Sequence, residues 1–125
     1  MNAQIFYLNW DLANQPCAVE AGFYKAVNDI ICGLATPCIY DVTSTKLYDR
    51  VAEVDIGNEV VYEKVDGDLI PMETLESIYH DLQNGIGRGT EAVTGRTRRS
   101  MSVGDVVKVN NGWYVVAGCG FKAVA

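Results

Sequence analysis

Two segments of the chain carry apolar residues at intervals of three and four, the spacing of one face of an α-helix. The first spans residues 18–34, and Gly33 helps to end it. The second spans residues 71–84, begins with a proline suited to a first helical turn, and is followed by Gly85. The apolar positions are Val19, Phe23, Ala26, Val27, Ile30, Ile31 and Leu34 in the first segment and Leu75, Ile78, Tyr79 and Leu82 in the second. We therefore expect two amphipathic helices.

Shorter apolar runs, some of them alternating with polar residues, predict β-strands. Their bounds are 5–8, 48–56, 59–65, 105–109, 113–117 and 121–124. Three segments between these runs predict turns, namely Gly57-Asn58, Asp66-Gly67-Asp68 and Asn110-Asn111-Gly112. Residues 38–40 predict one more short strand, and residues 41–45 predict a loop.

Strands separated by tight turns, together with two helices, favour an α+β fold in which a small antiparallel sheet packs against both helices. The length of 125 residues suits a single domain spanning residues 1–125. We expect the apolar stripes of both helices to share one core with the strand at 105–109. Its members are Val27, Ile30, Leu75, Ile78, Tyr79, Leu82, Val106, Val107 and Val109.

The amino-acid composition excludes several classes of protein. Hydrophobic residues form 49% of the chain and charged residues 21%, which excludes an intrinsically disordered chain. No run of about 20 apolar residues is present, so we expect no transmembrane helix. The first basic residue is Lys25, so the basic region of a secretory signal is missing from the start of the sequence. These features predict a cytoplasmic protein that does not bind membranes.

Charge is distributed unevenly along the chain, whose formal net charge is −6. Up to residue 84 the chain contains 14 acidic and 4 basic residues, and beyond it 2 acidic and 6 basic residues. Alternation along the predicted strands places Glu53 with Asp55, and Glu59 with Glu63, on shared faces. We predict that these four carboxylates form an exposed acidic face that binds a partner. Solubility is the alternative explanation for them.

Residues 85–98 contain glycine and arginine but no apolar periodicity, which predicts a flexible loop. The arginines in this loop and directly after it are Arg88, Arg96, Arg98 and Arg99. Guanidinium groups bind phosphate and carboxylate groups well. One interpretation is therefore contact with a nucleic acid or an acidic partner. The other is a solvated loop whose arginines pair with the acidic strands.

Residues suited to catalysis or metal binding are sparse. A nucleophilic site needs a nucleophile, a base and an orienting group, and His80 is the only histidine. Its position off the apolar stripe predicts an exposed side chain. Cys17, Cys32, Cys38 and Cys119 form no Cys-x-x-Cys pair, so we expect free thiols with Cys32 buried, a single disulfide being the alternative. These observations predict a protein without enzymatic activity, cofactor or metal.

An ordered set of motifs follows in the second half of the chain. It consists of Val61-Tyr62-Glu63, Leu75-Glu76-Ser77-Ile78-Tyr79, Arg99-Ser100-Met101-Ser102-Val103-Gly104-Asp105-Val106-Val107, Trp113-Tyr114-Val115-Val116 and Gly120-Phe121. From Val60 to Val124 this order resembles the YodL-like family, small domains encoded largely by phages, plasmids and other mobile elements. The resemblance implies a non-enzymatic accessory role. The residues also suggest a structural role, since Ser100 and Ser102 can hydrogen-bond the backbone of the turn into the next strand.

Two functions are consistent with these features. The first is an accessory protein of a phage or mobile element that acts as a protein-interaction module. It would bind a host or element-encoded protein and modulate host defence or replication. The alternative is a small nucleic-acid-binding domain that uses the basic loop at 88–99, although a net negative charge is unfavourable for phosphate binding. The oligomeric state stays open.

Overall fold

The computed structural model describes residues 1–9, 23–44, 47–82, 90–92, 101–118 and 120–125. The elements in these ranges are β1 (Asn2–Leu8), α1 (Phe23–Ile31), α2 (Ile39–Ser44), β2 (Tyr48–Asp55), β3 (Glu63–Val65), β4 (Asp68–Ile70), α3 (Met72–Asp81), β5 (Thr90–Ala92), β6 (Val106–Val109), β7 (Gly112–Val116) and β8 (Phe121–Ala123). In this part of the chain no helix combines the length and hydropathy needed to span a membrane.

The strands form two antiparallel sheets, and with the helices they confirm the predicted α+β class. The larger sheet has six strands in the order β5-β2-β1-β6-β7-β8, and the smaller one is the β3–β4 hairpin. β1 lies inside the larger sheet, where it pairs with β2 along its whole length and with β6 from Gln4 to Phe6. The predicted hairpin at residues 110–112 is confirmed, with Val109 paired to Gly112.

Both faces of the six-stranded sheet are buried, which explains why the end of β1 is apolar at every position. Alternation along the strand sends Ile5 and Tyr7 to one face and Phe6 and Leu8 to the other. All four side chains are at most 8% exposed. The chain therefore has three layers, with the sheet in the middle.

The two faces carry separate cores, so the prediction of one shared core is wrong. Leu75 and Ile78 of α3 pack on the face of Ile5, together with the β3–β4 hairpin, and we call this the α3 core. Val27 and Ile30 of α1 pack on the face of Phe6, together with α2, and we call this the α1 core. Periodicity identifies the apolar stripe of each helix correctly but contains no information about which face of the sheet it covers.

The end of α1 confirms the predicted role of the glycine there. Leu34 N donates to Asp29 O (2.8 Å) and Gly33 N donates to Ile30 O (3.1 Å), the paired bonds of a Schellman motif. Cys32, predicted to be buried, is exposed. It lies two residues beyond the buried Ile30, which is a rotation of about 200° around the helix axis and points it away from the core.

Residues 38–44 differ from the prediction of a strand followed by a loop. Ile39–Ser44 form the helix α2, which buries Val42 in the α1 core. Asp41 accepts a hydrogen bond from the backbone N–H of Cys38 through Oδ2 (3.0 Å), so its side chain satisfies a donor at the start of the helix. The β-branched and aromatic residues of this short segment favour a strand locally, and tertiary packing outweighs that preference.

The hairpin predicted at Gly57-Asn58 does not form. β2 pairs with β1 on one side and with β5 on the other, which leaves no free edge for residues 59–65. Only Glu63–Val65 of that segment is a strand, and it pairs with β4 through a two-residue turn at Asp66 and Gly67. Both turn residues have positive φ (51° and 88°), the geometry of a type I′ turn.

Part of the predicted loop at residues 85–98 is a strand. Thr90–Ala92 form β5, which pairs with Ala52, Glu53 and Val54 at the edge of the sheet. The sequence does not predict this strand because it is only three residues long and glycine and arginine residues surround it. Its pairing partner β2 also lies far away along the chain. The other residues of the predicted loop lie outside the described residues.

The segment 101–105 is connected to the central strand β1 through a buried carboxylate. Asp105 is fully buried and accepts hydrogen bonds from Leu8 N at Oδ1 (2.9 Å) and from Ser102 N at Oδ2 (2.8 Å). Gly104 O accepts a hydrogen bond from the Tyr48 hydroxyl at 2.5 Å. Asp105 therefore links β1 to the turn that leads into β6, a role that the sequence interpretation had given to the serines.

Candidate functional site

A cleft of about 420 Å³ lies between α3 and the segment that follows β2. Ten residues line it: Val54, Asp55, Ile56, Glu59, Val61, Glu73, Thr74, Ser77, Ile78 and Asp81. Four of the ten carry carboxylates, and none carries a positive charge. We call this feature the acidic cleft.

The segment after β2 forms one wall of the acidic cleft and is anchored to the rest of the protein at several points. Ile56 and Val60 pack against the α3 core, and Ile56 N donates a hydrogen bond to Met1 O (3.0 Å). With these two side chains turned inward, Glu59 and Val61 are exposed at the cleft. The wall is thus held by apolar contacts and a backbone hydrogen bond to Met1, without the strand pairing that the sequence suggested.

Helix α3 forms the opposite wall. Glu73, Ser77 and Asp81 follow one another at intervals of four residues, so they lie along one face of the helix. All three are exposed, whereas Leu75 and Ile78 are buried on the inner side. This helix face therefore presents the Ser77 hydroxyl between two carboxylates, and Thr74 beside it adds a second hydroxyl to the cleft lining.

Apolar side chains form the floor and part of the rim. Val54 and Ile78 are buried at the base, at 8% and 2% exposure, while Val61 is 65% exposed at the rim. Aliphatic surface surrounded by carboxylates suits a lysine or arginine side chain, whose methylene stem packs on apolar surface while its charged end meets the acids. The arrangement can therefore bind an organic cation. Within the described residues, no three His, Cys, Asp or Glu side chains are grouped so that they could hold a metal ion.

The carboxylates of the rim differ in their hydrogen-bond and ion-pair partners. Asp55 accepts a hydrogen bond from Gly57 N at Oδ1 (2.9 Å), and the same oxygen lies 4.0 Å from the amino terminus, although its side chain is 74% exposed. Among the described residues, Glu59, Glu73 and Asp81 form no ion pair. Three of the four rim carboxylates are therefore available to a cationic partner.

Two of the four acidic residues predicted from the sequence lie in the cleft. Asp55 and Glu59 line it, whereas Glu53 and Glu63 do not. Glu53 is 34% exposed and pairs with Arg50 on the same strand (3.5 Å), and Glu63 lies exposed on β3. Pairing of the predicted strands 48–56 and 59–65 would have brought all four carboxylates near one another, but β2 and β3 are not neighbours.

Glu73 and Asp81 are the cleft residues that the sequence interpretation missed. Glu73 lies in the first turn of α3, where an acid is favourable next to the helix N-terminus whether or not it belongs to a site. Their spacing of eight residues, with Ser77 halfway, is a signal of one polar helix face that could have identified them. No sequence signal relates that face to residues 55–61, because the contact depends on how α3 packs against the sheet.

A tyrosine pair continues the cleft wall toward β6 and β7. Tyr62, directly after Val61, accepts a hydrogen bond at Oη from the Asn110 side chain (2.9 Å), which fixes the wall to the β6–β7 turn. Burial and, to a smaller extent, the nearby Tyr62 raise the pKa of Tyr114 above its ordinary value. Tyr114 therefore stays neutral through the physiological pH range.

The remaining predicted site residues are distributed as follows. Arg88, Arg96, Arg98 and Arg99, the basic loop, lie outside the described residues. His80 is exposed, as predicted, and Cys32 and Cys38 are free thiols. Trp113 is half-buried, with Phe6 against its ring (centroids 5.3 Å apart) and the Lys108 amine 5.1 Å above it.

Comparisons of this chain with protein-family models, with curated proteins and with solved structures found no match. The resemblance of residues 60–124 to the YodL-like family therefore stays a prediction from the sequence, and the geometry of the acidic cleft is the basis for assigning a function.

Proposed function

We propose that the protein is a non-enzymatic interaction module that binds a basic segment of another protein in the acidic cleft. The observation that carries this proposal is the set of four carboxylates around a cleft of about 420 Å³ with an aliphatic floor. A partner would insert a lysine or arginine, whose stem covers Val54 and Ile78 and whose charged end meets Glu59, Glu73 and Asp81.

The energetics favour recognition by several weak contacts. An exposed ion pair contributes about 0.2–1 kcal/mol, so three such pairs plus burial of an aliphatic stem give a moderate affinity. A surface of one sign also raises the association rate, by roughly 10- to 1,000-fold at low salt. Binding should therefore be fast and should weaken as salt is added.

The biological role we propose follows from the class of partner. Basic surfaces are typical of proteins that bind nucleic acids, and an acidic protein that covers such a surface blocks it. A phage or mobile-element accessory protein could act in this way on host defence or replication, in the cytoplasm of the host cell. The mobile-element origin rests on the sequence resemblance alone.

A charge-matched pair of variants tests the cleft. The probe is a fluorescently labelled peptide of alternating arginine and alanine, and fluorescence anisotropy measures its Kd. Glu59→Gln with Glu73→Gln removes two cleft carboxylates, and we expect about a tenfold weaker Kd. Glu63→Gln with Glu76→Gln removes two exposed carboxylates outside the cleft lining and should change the Kd by less than about twofold.

Two results would overturn the proposal. Equal losses in both double variants would mean that the peptide responds to net charge and that the cleft is not a site. Binding of labelled DNA or RNA that disappears in the Arg98→Ala, Arg99→Ala variant, while the cleft carboxylates are dispensable, would favour the nucleic-acid alternative instead.

A further inference from the structure

The edge strand β8 leaves hydrogen-bonding groups of its backbone without partners among the described residues. In an antiparallel pair, successive residues direct their N–H and C=O groups alternately toward and away from the neighbouring strand. Val124 N donates to Trp113 O (2.8 Å) and Ala117 N donates to Gly120 O (2.9 Å). These two bonds and the pairing of Lys122 with Val115 show that Gly120, Lys122 and Val124 direct their backbone groups toward β7.

It follows that Phe121 and Ala123 direct their backbone groups away from β7. No described residue bonds to them, since β8 is the last strand of the sheet. Two donors and two acceptors are therefore presented in an extended row, which is the template that a further strand needs. The acidic cleft lies elsewhere, between the end of β2 and α3.

A groove of about 250 Å³ runs along this edge and limits what can occupy it. One wall is the β3–β4 hairpin, represented by Val65, Asp66, Asp68 and Ile70, and the other wall includes Thr36. A backbone lying between these walls would extend the sheet.

The charged residues along the groove indicate which side chains a bound strand would carry. Lys122 is exposed on the side of the α1 core and forms no ion pair with a described residue. Phe121 and Ala123 pack on the side of the α3 core, where the hairpin wall adds Asp66 and Asp68. A complementary strand carries a carboxylate opposite Lys122, apolar residues beside it and basic residues toward the hairpin.

A second copy of the chain does not meet these requirements. Antiparallel pairing of two β8 strands through Phe121 and Ala123 would place the two copies of Lys122 directly opposite each other. Like charges at directly opposed positions destabilise a sheet. The edge thus favours a different polypeptide over self-association.

We propose that β8 binds an extended segment of another protein as a seventh strand of the sheet, with an acidic residue opposite Lys122. This is strand addition, in which main-chain hydrogen bonds supply affinity and alternate side chains supply specificity. The site is separate from the acidic cleft, and it gives the protein a second interaction surface on the opposite edge of the sheet from β5.

Amide hydrogen exchange followed by NMR tests the proposal. In the free protein, the amides of Phe121 and Ala123 should exchange quickly, while the amide of Lys122, bonded to β7, exchanges slowly. The probe is the blocked peptide Lys-Thr-Val-Glu-Val-Thr-Lys. With a Kd of about 1 mM and about 5 mM peptide, exchange at Phe121 and Ala123 should slow by about sixfold.

Matched variants and a matched peptide separate strand addition from other binding. Ala123→Pro removes the outward N–H without removing a bond to β7, and it should abolish the protection at Phe121. Ala123→Ser keeps that N–H and should bind like the wild type. Replacing the central glutamate of the peptide with lysine should weaken binding, while the Glu59→Gln, Glu73→Gln variant should bind the original peptide normally.

Three outcomes would overturn the proposal. The first is no protection at Phe121 and Ala123 with either peptide. The second is protection that survives Ala123→Pro. The third is protection in the free protein that rises with protein concentration, which would show that the edge pairs with a second copy.

Discussion

Carboxylates in two regions of this molecule have opposite surroundings and opposite consequences. Asp105 is fully buried and accepts two backbone hydrogen bonds, from Leu8 and Ser102. The carboxylates of Glu59, Glu73 and Asp81 are exposed and form no ion pair within the described part of the chain. The same chemical group thus connects two segments of the backbone in one place and stays exposed to solvent in the other.

The difference lies in whether each carboxylate keeps its contacts with water or exchanges them for hydrogen bonds within the protein. A buried polar group is tolerated when hydrogen bonds replace its hydration, and its loss then leaves those partners unsatisfied. An exposed carboxylate keeps its hydration, so its removal changes folding little and changes the electrostatic potential of the surface instead. Stability should therefore depend on the Asp105 region, and binding should depend on the cleft.

The largest effect on the stability of the fold is expected for Asp105→Ala. One buried N–H group, that of Leu8, and one half-buried N–H group, that of Ser102, would lose their acceptor. At about 1–3 kcal/mol each, the free energy of unfolding should fall by about 3–4 kcal/mol. Urea denaturation followed by circular dichroism measures the change. Asp55→Ala, which removes an exposed carboxylate, is the control and should cost less than about 1 kcal/mol. Equal costs for the two variants would contradict the comparison.

A smaller loss of stability is expected for Gly104→Ala, at the residue next to Asp105. Gly104 has a φ of 95°, and a Cβ there would lie 2.9 Å from Ile30 Cγ2 and 3.1 Å from Leu8 Cδ2. Backbone strain and overpacking together should cost about 2–3 kcal/mol. Gly57→Ala is the matched control, since its φ is also positive (77°) but nothing lies within 4 Å of the added atom. A melting temperature lowered equally by both changes would show that packing against α1 does not matter.

Tyr62→Phe should have an intermediate effect, because it affects the wall of the cleft. Loss of the Asn110–Tyr62 hydrogen bond should lower stability by about 0.5–1 kcal/mol. The pKa of Tyr114 should fall, since Tyr62 contributes to its elevation, yet stay above the ordinary value because burial persists. Ultraviolet titration of the tyrosines follows this shift. A Tyr114 pKa that does not change would mean that the two hydroxyls do not interact.

The smallest effect on stability is expected for Glu59→Gln with Glu73→Gln, the variant that should weaken peptide binding most. Both side chains are exposed, so the free energy of unfolding should change by less than about 0.5 kcal/mol. Thermal and urea denaturation measure it. A large loss of stability would mean that these carboxylates maintain the fold, and the division between the two regions would then fail.

The sequence by itself predicts most of the elements of this fold. The helix at residues 72–81 and the strands at 48–55, 106–109 and 112–116 fall where apolar periodicity indicates them. The first strand, at residues 2–8, contains the predicted run 5–8 and begins three residues earlier. Turns at residues 66–67 and 110–111 are also confirmed. Periodicity works here because burial on one side of an element imposes a repeat that local sequence records.

Tertiary structure decides what local sequence cannot record. Ile39–Ser44 is a helix because Val42 packs in the α1 core, and Thr90–Ala92 is a strand because β2 offers an edge. The division into two cores depends on which face of the sheet each helix covers. In each case the deciding contact joins residues far apart in the chain.

The candidate site shows the same division. Charge segregation in the sequence identifies Asp55 and Glu59, and only the packing of α3 beside them adds Glu73 and Asp81. Asp105 looks like an ordinary turn residue in the sequence, and its burial becomes visible only when β1 is placed beside β6. Sequence determines which side chains carry charge, whereas the tertiary structure decides which charges are buried, because burial depends on neighbours that the chain brings together only by folding.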